Sequence, residues 1–154
     1  MSFYIYFMRL FLFVAVFMAT ALFYPTVTLA ATPAVALTAS NKGLETRVRD
    51  YFADIPVMIE IAKCESHFRH LDEDDEVLRG EKNNLDRGVM QINEYYHNDN
   101  SEKLGFNILT LEGNTAYARH LFEKYGVKPW LSSSKCWGKT TAYSEYKKEL
   151  AINK

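Results

Sequence analysis

The sequence has little of what several common protein classes need. Two cysteines in 154 residues permit one disulfide at most. They suit an exported protein with a single bridge, or else remain two buried thiols. Basic charge is not in surplus. Lys and Arg number 18 against 19 Asp and Glu, a net charge of -1, which gives a nucleic-acid partner no footing. No segment repeats internally. Metal ligands do not gather either. His67 and His70 lack a third ligand nearby. The acidic run Asp72 to Glu76 misses the Gly at the sixth position and the Glu at the twelfth, where Asn83 stands, that a calcium loop uses. It reads as a solvated loop, and no metal or cofactor is expected.

Long apolar runs are also scarce, with one exception. The first 24 residues hold one charge, Arg9, followed directly by LFLFVAVFMATALF. This is an apolar h-region behind a weak basic n-region. Residues 1–30 read as a signal peptide ending at Thr28-Leu29-Ala30, with Ala34-Val35-Ala36 as a second cleavage site. The alternative is an uncleaved membrane anchor, since the stretch is nearly long enough to span. Residues 31–42 are small and uncharged until Lys42 and read as a linker. The remainder is enough for one domain with a modest core.

What is present begins at Gly43. GLETRVRDYF spaces Leu44, Val48 and Tyr51/Phe52 as a helix does. Asp54 and Pro56 then start a second helix, with the proline in a first turn where its missing N–H is harmless. Val57, Ile61, Cys64 and Phe68 form its apolar stripe, and Met58, Ala62 and Glu65 the adjoining edge. A carboxyl on that edge loses solvation, so the pKa of Glu65 should rise, as a general acid at neutral pH requires. Otherwise Glu65 is an ordinary exposed helical residue. A small hairpin or loop should follow, with a short strand and turn over Glu76 to Gly80.

Gly88 to Tyr96 (GVMQINEYY) reads as a third helix with Val89, Ile92 and Tyr96 buried. Met90 offers a polarizable wall, and Gln91 and Asn93 offer amide donors and acceptors suited to sugars. Asp86, just before, is either an N-cap or a second carboxylate. His97 to Phe106 reads as a polar connection anchored by Leu104 and Phe106. A long helix from about Ile108 to Tyr125 ends at Gly126 and buries Leu111, Ala118, Leu121, Phe122 and Tyr125. Gly113 inside it implies close approach of another backbone. Tyr117 either lines a cleft or fills the core. KPWLSSSKCWG (128–138) is irregular and carries Trp130, Cys136 and Trp137. A Cys64–Cys136 bond would tie it beside Glu65, closing a loop of about 70 residues. Residues 139–154 form a short helix or a frayed tail.

The segments CESHF and GVMQIN, with the long helix, resemble the lysozyme-like superfamily, in particular the soluble lytic transglycosylase (SLT) catalytic domain. The Glu-Ser pair that ends a helix is here Glu65-Ser66. Gly-x-Met-Gln is Gly88-Val89-Met90-Gln91. The Asn-Ile helix start with later Gly and Tyr is Asn107, Ile108, Gly113 and Tyr117. The likeness covers about residues 45–127. The later Ala-Tyr-Asn motif of such domains has only Ala142-Tyr143-Ser144 as a counterpart. DRGVMQIN also resembles c-type lysozymes, in which Asp86 would match the second carboxylate.

The resemblance implies an all-α, lysozyme-like catalytic domain over residues 43–138. It implies cleavage of peptidoglycan glycan strands between N-acetylmuramic acid and N-acetylglucosamine. Glu65 would be the acid/base, and Ser66, Met90, Gln91, Asn93, Tyr117 and Trp130 would hold the sugar. Asp86 would be catalytic only if the reaction is hydrolysis. A glycan-binding module without turnover is the third reading. The expected setting is a secreted, periplasmic or envelope-bound monomer, with membrane contact only through an uncleaved N-terminal segment.

Overall fold

The computed structural model describes residues 43–152, so the leader and the 31–42 linker lie outside the described residues. The described chain is mainly α. Helix α1 covers residues 43–51 and α2 runs Pro56–Ser66. A two-stranded antiparallel hairpin follows, β1 (Asp86–Arg87) and β2 (Ile92–Asn93), with Asp86 opposite Asn93. Then come α3 (Glu94–Lys103), α4 (Leu111–Tyr125), a 3-10 turn over Lys128–Ser133, the single turn α5 (Ser134–Trp137) and α6 (Thr141–Ile152).

The two apolar stripes behave as their spacing demands. Val57, Met58, Ile61 and Ala62 of α2 are buried against Leu111, Ala118 and Leu121 of α4 and against Trp130 and Trp137 in one core. Each Val, Leu, Ile or Met side chain so buried contributes roughly 1.5–3 kcal/mol. Pro56 occupies the first turn of α2, but Asp54 does not cap it. Its carboxylate takes two hydrogen bonds from Arg119 of α4, at 2.8 Å each, tying the turn before α2 to α4. Tyr125, expected in the core, is 46% exposed.

Helix α4 starts at Leu111 rather than Ile108. Asn107 bends the chain first: its Oδ1 accepts from Leu109 N and its carbonyl from Thr110 N. Thr110 then caps the helix by accepting from Gly113 N at 3.1 Å. A Cβ on Gly113 would lie 2.0 Å from the Asn107 carbonyl oxygen, which is the close backbone approach that requires glycine.

Three expectations are overturned. Gly88–Tyr96 is not one helix. Residues 88–91 are the turn of the hairpin, with left-handed backbone at Gly88 (φ 64) and Gln91 (φ 49), and helix begins only at Glu94. Val89 and Ile92 are buried as expected, but Tyr96 is 75% exposed. The polar connection from His97 is instead helix α3. It has almost no apolar face, yet Asn93 caps it by accepting from Tyr96 N, and Glu94 sits favourably at its positive end. Residues 128–137 are helical turns rather than irregular chain. Residues 141–152 form a helix whose Tyr143 and Tyr146 pack on Trp137 and Phe122.

Between α2 and the hairpin the chain runs as a loop pinned by two isolated bridges, Leu71 with Val77 and Arg79 with Arg87. The acidic run forms the tip of this loop. Asp72 Oδ1 accepts from the backbone of Asp74 and Glu76, 3.0 Å each.

Candidate active site

Helix α2 stops because His67 and Phe68 both take left-handed backbone (φ 55 and 61). The reversal buries Phe68 and leaves Glu65, in the final turn, facing a cleft of about 160 Å³. Asp86, Gln91, Asn93, His97 and Trp130 share the lining, with Ser132 at the rim. A larger hollow of about 540 Å³ lies between α1 and α4, but its Arg47 and Glu112 neutralise each other in an ion pair. The two carboxyls, Glu65 and Asp86, meet in the smaller cleft.

Burial pushes the Glu65 carboxyl above its ordinary value. The Ser133 hydroxyl opposes this by donating to Oε1 at 2.6 Å, the negative charge of Asp86 adds to the rise, and Lys82 works against it. Ser133 in turn accepts from Trp137 Nε1 at 2.9 Å, and its single proton has two acceptors, Glu65 Oε1 and the Trp130 carbonyl at 3.0 Å, of which the carboxylate is the nearer. The Cys64–Cys136 disulfide brings this segment to Glu65, with the two Cα atoms 6.0 Å apart. A protonated carboxyl held in a partly desolvated cleft can donate to a leaving oxygen and afterwards accept a proton as base.

Gln91 enters the cleft from the 88–91 turn, and other elements hold the backbone N–H and carbonyl of both Val89 and Met90. Val89 N donates to His70 Nδ1 at 3.3 Å, and Val89 O accepts from Ser66 Oγ at 2.8 Å. Met90 N donates to Asn114 Oδ1 at 2.9 Å, and Met90 O accepts from Trp130 Nε1 at 3.0 Å. Asn114 also donates to the carbonyls of Arg87 and Ile108. His70 uses its second nitrogen on Leu109 O at 3.0 Å, and burial keeps its pKa below the ordinary histidine value. A Cβ at Gly88 would meet the His70 ring at 2.6 Å and Asn114 Nδ2 at 2.9 Å, so only glycine fits there.

The expected site residues therefore divide. Glu65, Asp86, Gln91, Asn93 and Trp130 converge on the cleft. Ser66, Met90 and Tyr117 do not line it. All three are buried, and what the first two give is the position of the turn. Tyr117 stands behind His97, with its hydroxyl 3.1 Å from His97 Nδ1 and 3.0 Å from Asn100 Nδ2. Asp86 is not a helix N-cap. It lies in β1, where its Oδ1 accepts from Asn93 Nδ2 of the opposite strand at 2.7 Å.

No family of known proteins, no curated protein and no solved structure matches the chain.

Sequence reasoning missed Ser133 and His97. Ser133 lies three residues before Cys136, so the expected disulfide carried a pointer to it. His97 follows Asn93 by four, one helical turn, but that signal emerges only once α3 is known to be a helix.

Proposed function

We propose that this chain cleaves the β-1,4 bond between N-acetylmuramic acid and N-acetylglucosamine in peptidoglycan, as a lytic transglycosylase. The observation that carries the reading is Glu65: a carboxyl in a cleft, its pKa raised by burial, with one oxygen held by Ser133. In this reaction Glu65 gives its proton to the glycosidic oxygen as the C1–O bond breaks. The carboxylate then takes the proton of the muramyl C6 hydroxyl while that oxygen bonds to C1. A 1,6-anhydro ring results, the acid is regenerated and no water is consumed. The nucleophile belongs to the same sugar, so holding the sugar supplies much of the acceleration. Amides from Gln91 and Asn93 are suited to that, and the reading calls for no metal or cofactor.

One observation favours a second reading. Asp86 lines the same cleft and its charge is felt by Glu65. A retaining muramidase uses two carboxyls in this way, one as acid and the other as nucleophile or charge stabiliser. Mass spectrometry of digested peptidoglycan separates the two. Anhydromuropeptides are expected; reducing-end products that vanish in Asp86→Asn would replace the first reading by the second. A glycan-binding module without turnover is a different class. It predicts that wild type releases no fragments from any peptidoglycan, whereas either enzyme predicts release that Glu65→Gln abolishes. The resemblance of the Glu65-Ser66 and Gly88–Gln91 motifs to SLT domains supports the substrate class, and the disulfide supports an exported setting.

A further inference from the structure

Four side chains hold the backbone of the 88–91 turn, and three of them, Ser66, Asn114 and Trp130, do not titrate. The fourth is His70, which is buried and bonded at both ring nitrogens. Its partners dictate its protonation. The Leu109 carbonyl can only accept, so Nε2 carries the proton. The Val89 N–H can only donate, so Nδ1 keeps its lone pair. The pair of bonds therefore exists only with a neutral ring. A second proton would sit on Nδ1, point at the Val89 N–H and remove its acceptor. The ring has no room to move towards the turn, because a Cβ on Gly88 would already lie 2.6 Å from Nδ1.

The turn carries such a displacement into the cleft. The Gly88 carbonyl accepts from Gln91 N at 3.2 Å and from Gln91 Nε2 at 2.8 Å. The side chain that lines the cleft is thus tied to the residue beside the histidine. The charges around the ring offset one another. Arg47 of α1 opposes a second proton, Glu112 of α4 favours it, and the two are paired. Arg87, which precedes Gly88, is paired with Glu94, and residues 88–91 and Leu109 bring no charge. We propose that His70 is an acid-sensitive latch on the cleft: on taking up a proton it releases the Val89 N–H, the turn shifts, and Gln91 leaves its place beside Glu65. His70 is then a positioning residue, and the acid limb of activity belongs to it rather than to a carboxyl. Burial lowers the ring pKa, so this limb lies below about 6.5, the ordinary histidine value. The activity readout rests on the glycan-cleaving reading of the cleft; the latch itself does not.

The first test is kcat/KM for fragment release from peptidoglycan by the full chain, from about pH 8 to about pH 4. Wild type should lose activity on the acid side about tenfold per pH unit, the slope of one proton, while circular dichroism remains that of the folded protein. His70→Asn offers the Val89 N–H an amide oxygen near the place of Nδ1, and that oxygen does not titrate. This variant should keep kcat/KM at pH 7 to within about tenfold and lose the acid limb. Asp86→Asn should leave the limb where it is, in whatever activity survives. A limb that persists in His70→Asn, disappears in Asp86→Asn or is absent from an active wild type overturns the proposal. NMR of wild type reads the latch without turnover. The Val89 backbone amide and the Gln91 side-chain amide should titrate with the His70 ring at one shared pKa. If either holds still while the ring protonates, the latch fails, whether or not His70→Asn folds. If these signals titrate together but wild type releases no fragments at any pH, the latch stands and the glycan-cleaving reading falls.

Discussion

The Ser133 hydroxyl donates to Glu65 Oε1 across 2.6 Å, although the two residues are 68 positions apart in the chain. That bond favours the ionised carboxylate, whereas the Asp86 charge disfavours it. The two influences give opposite predictions. The proposed reaction needs protonated Glu65, so its rate should fall as pH rises through the Glu65 pKa. Ser133→Ala removes a lowering influence and should move that alkaline limb to higher pH. Asp86→Asn removes a raising one and should move it lower, in whatever activity survives. A pH profile of kcat/KM for the three proteins decides. Shifts of the same sign in both variants would contradict the geometry.

Glu65 also makes stability depend on pH. Its folded pKa lies above its unfolded one, so the folded state binds the extra proton. Stability is therefore highest below the unfolded value and declines as pH rises through the folded one. Glu65→Gln keeps the shape and an acceptor for Ser133 but cannot ionise. Its Tm should exceed that of wild type at pH 7, by an amount that shrinks towards pH 4 (about the ordinary carboxylate value). An equal Tm difference at both pH values would show that desolvation is not the cause.

His70 acts in the opposite direction. Its folded pKa is lowered by burial, and both ring nitrogens are already bonded, to Val89 N and Leu109 O. The unfolded chain takes up a proton there first. Stability should fall as pH drops below about 6.5, the ordinary histidine value, and keep falling until the folded pKa is reached. Urea titrations between pH 7 and 5 measure the slope, and His70→Gln should flatten it.

Breaking the disulfide by Cys64→Ser with Cys136→Ser should lower stability by about 4 kcal/mol in the chain-entropy treatment of a loop this long. It should also cost activity at temperatures where the protein remains folded, because Ser133 and Trp130 both lie on the freed segment. Comparing circular dichroism melts with turnover at low temperature separates the two effects.

Gly88→Ala places a methyl against the His70 ring and Asn114 amide at a left-handed backbone position. Strain and displacement together should destabilise by on the order of 3 kcal/mol. Chemical denaturation would read this directly. A loss below about 0.5 kcal/mol would mean that the turn relaxes freely, as surface substitutions do.

The half-buried carboxyl of Glu65 and the two apolar helices are legible because each is encoded locally. Val57 to Glu65 places an acid beside an apolar stripe, and Leu111 to Leu121 repeats the helical period. The hairpin was not. Val89 and Ile92 stand three apart and mimic one turn of helix, while the features that decide the matter, positive φ at Gly88 and Gln91, are imposed by partners on distant elements. Helix α3 escaped because it buries little and owes its start to a cap. Ser66, Met90 and Tyr117 were marked by motif rather than by geometry. These side chains face inward and do not line the cleft.

The turn over residues 88–91 has consequences for how the molecule assembles. Its peptide groups are held by Ser66 at the end of α2, His70 in the following loop, Asn114 in α4 and Trp130 beyond it. None of these bonds can form before those parts of the chain have docked on one another. The wall of the cleft is thus a late product of folding. A chain in which these parts have not docked lacks the turn that brings Gln91 into the cleft beside Glu65.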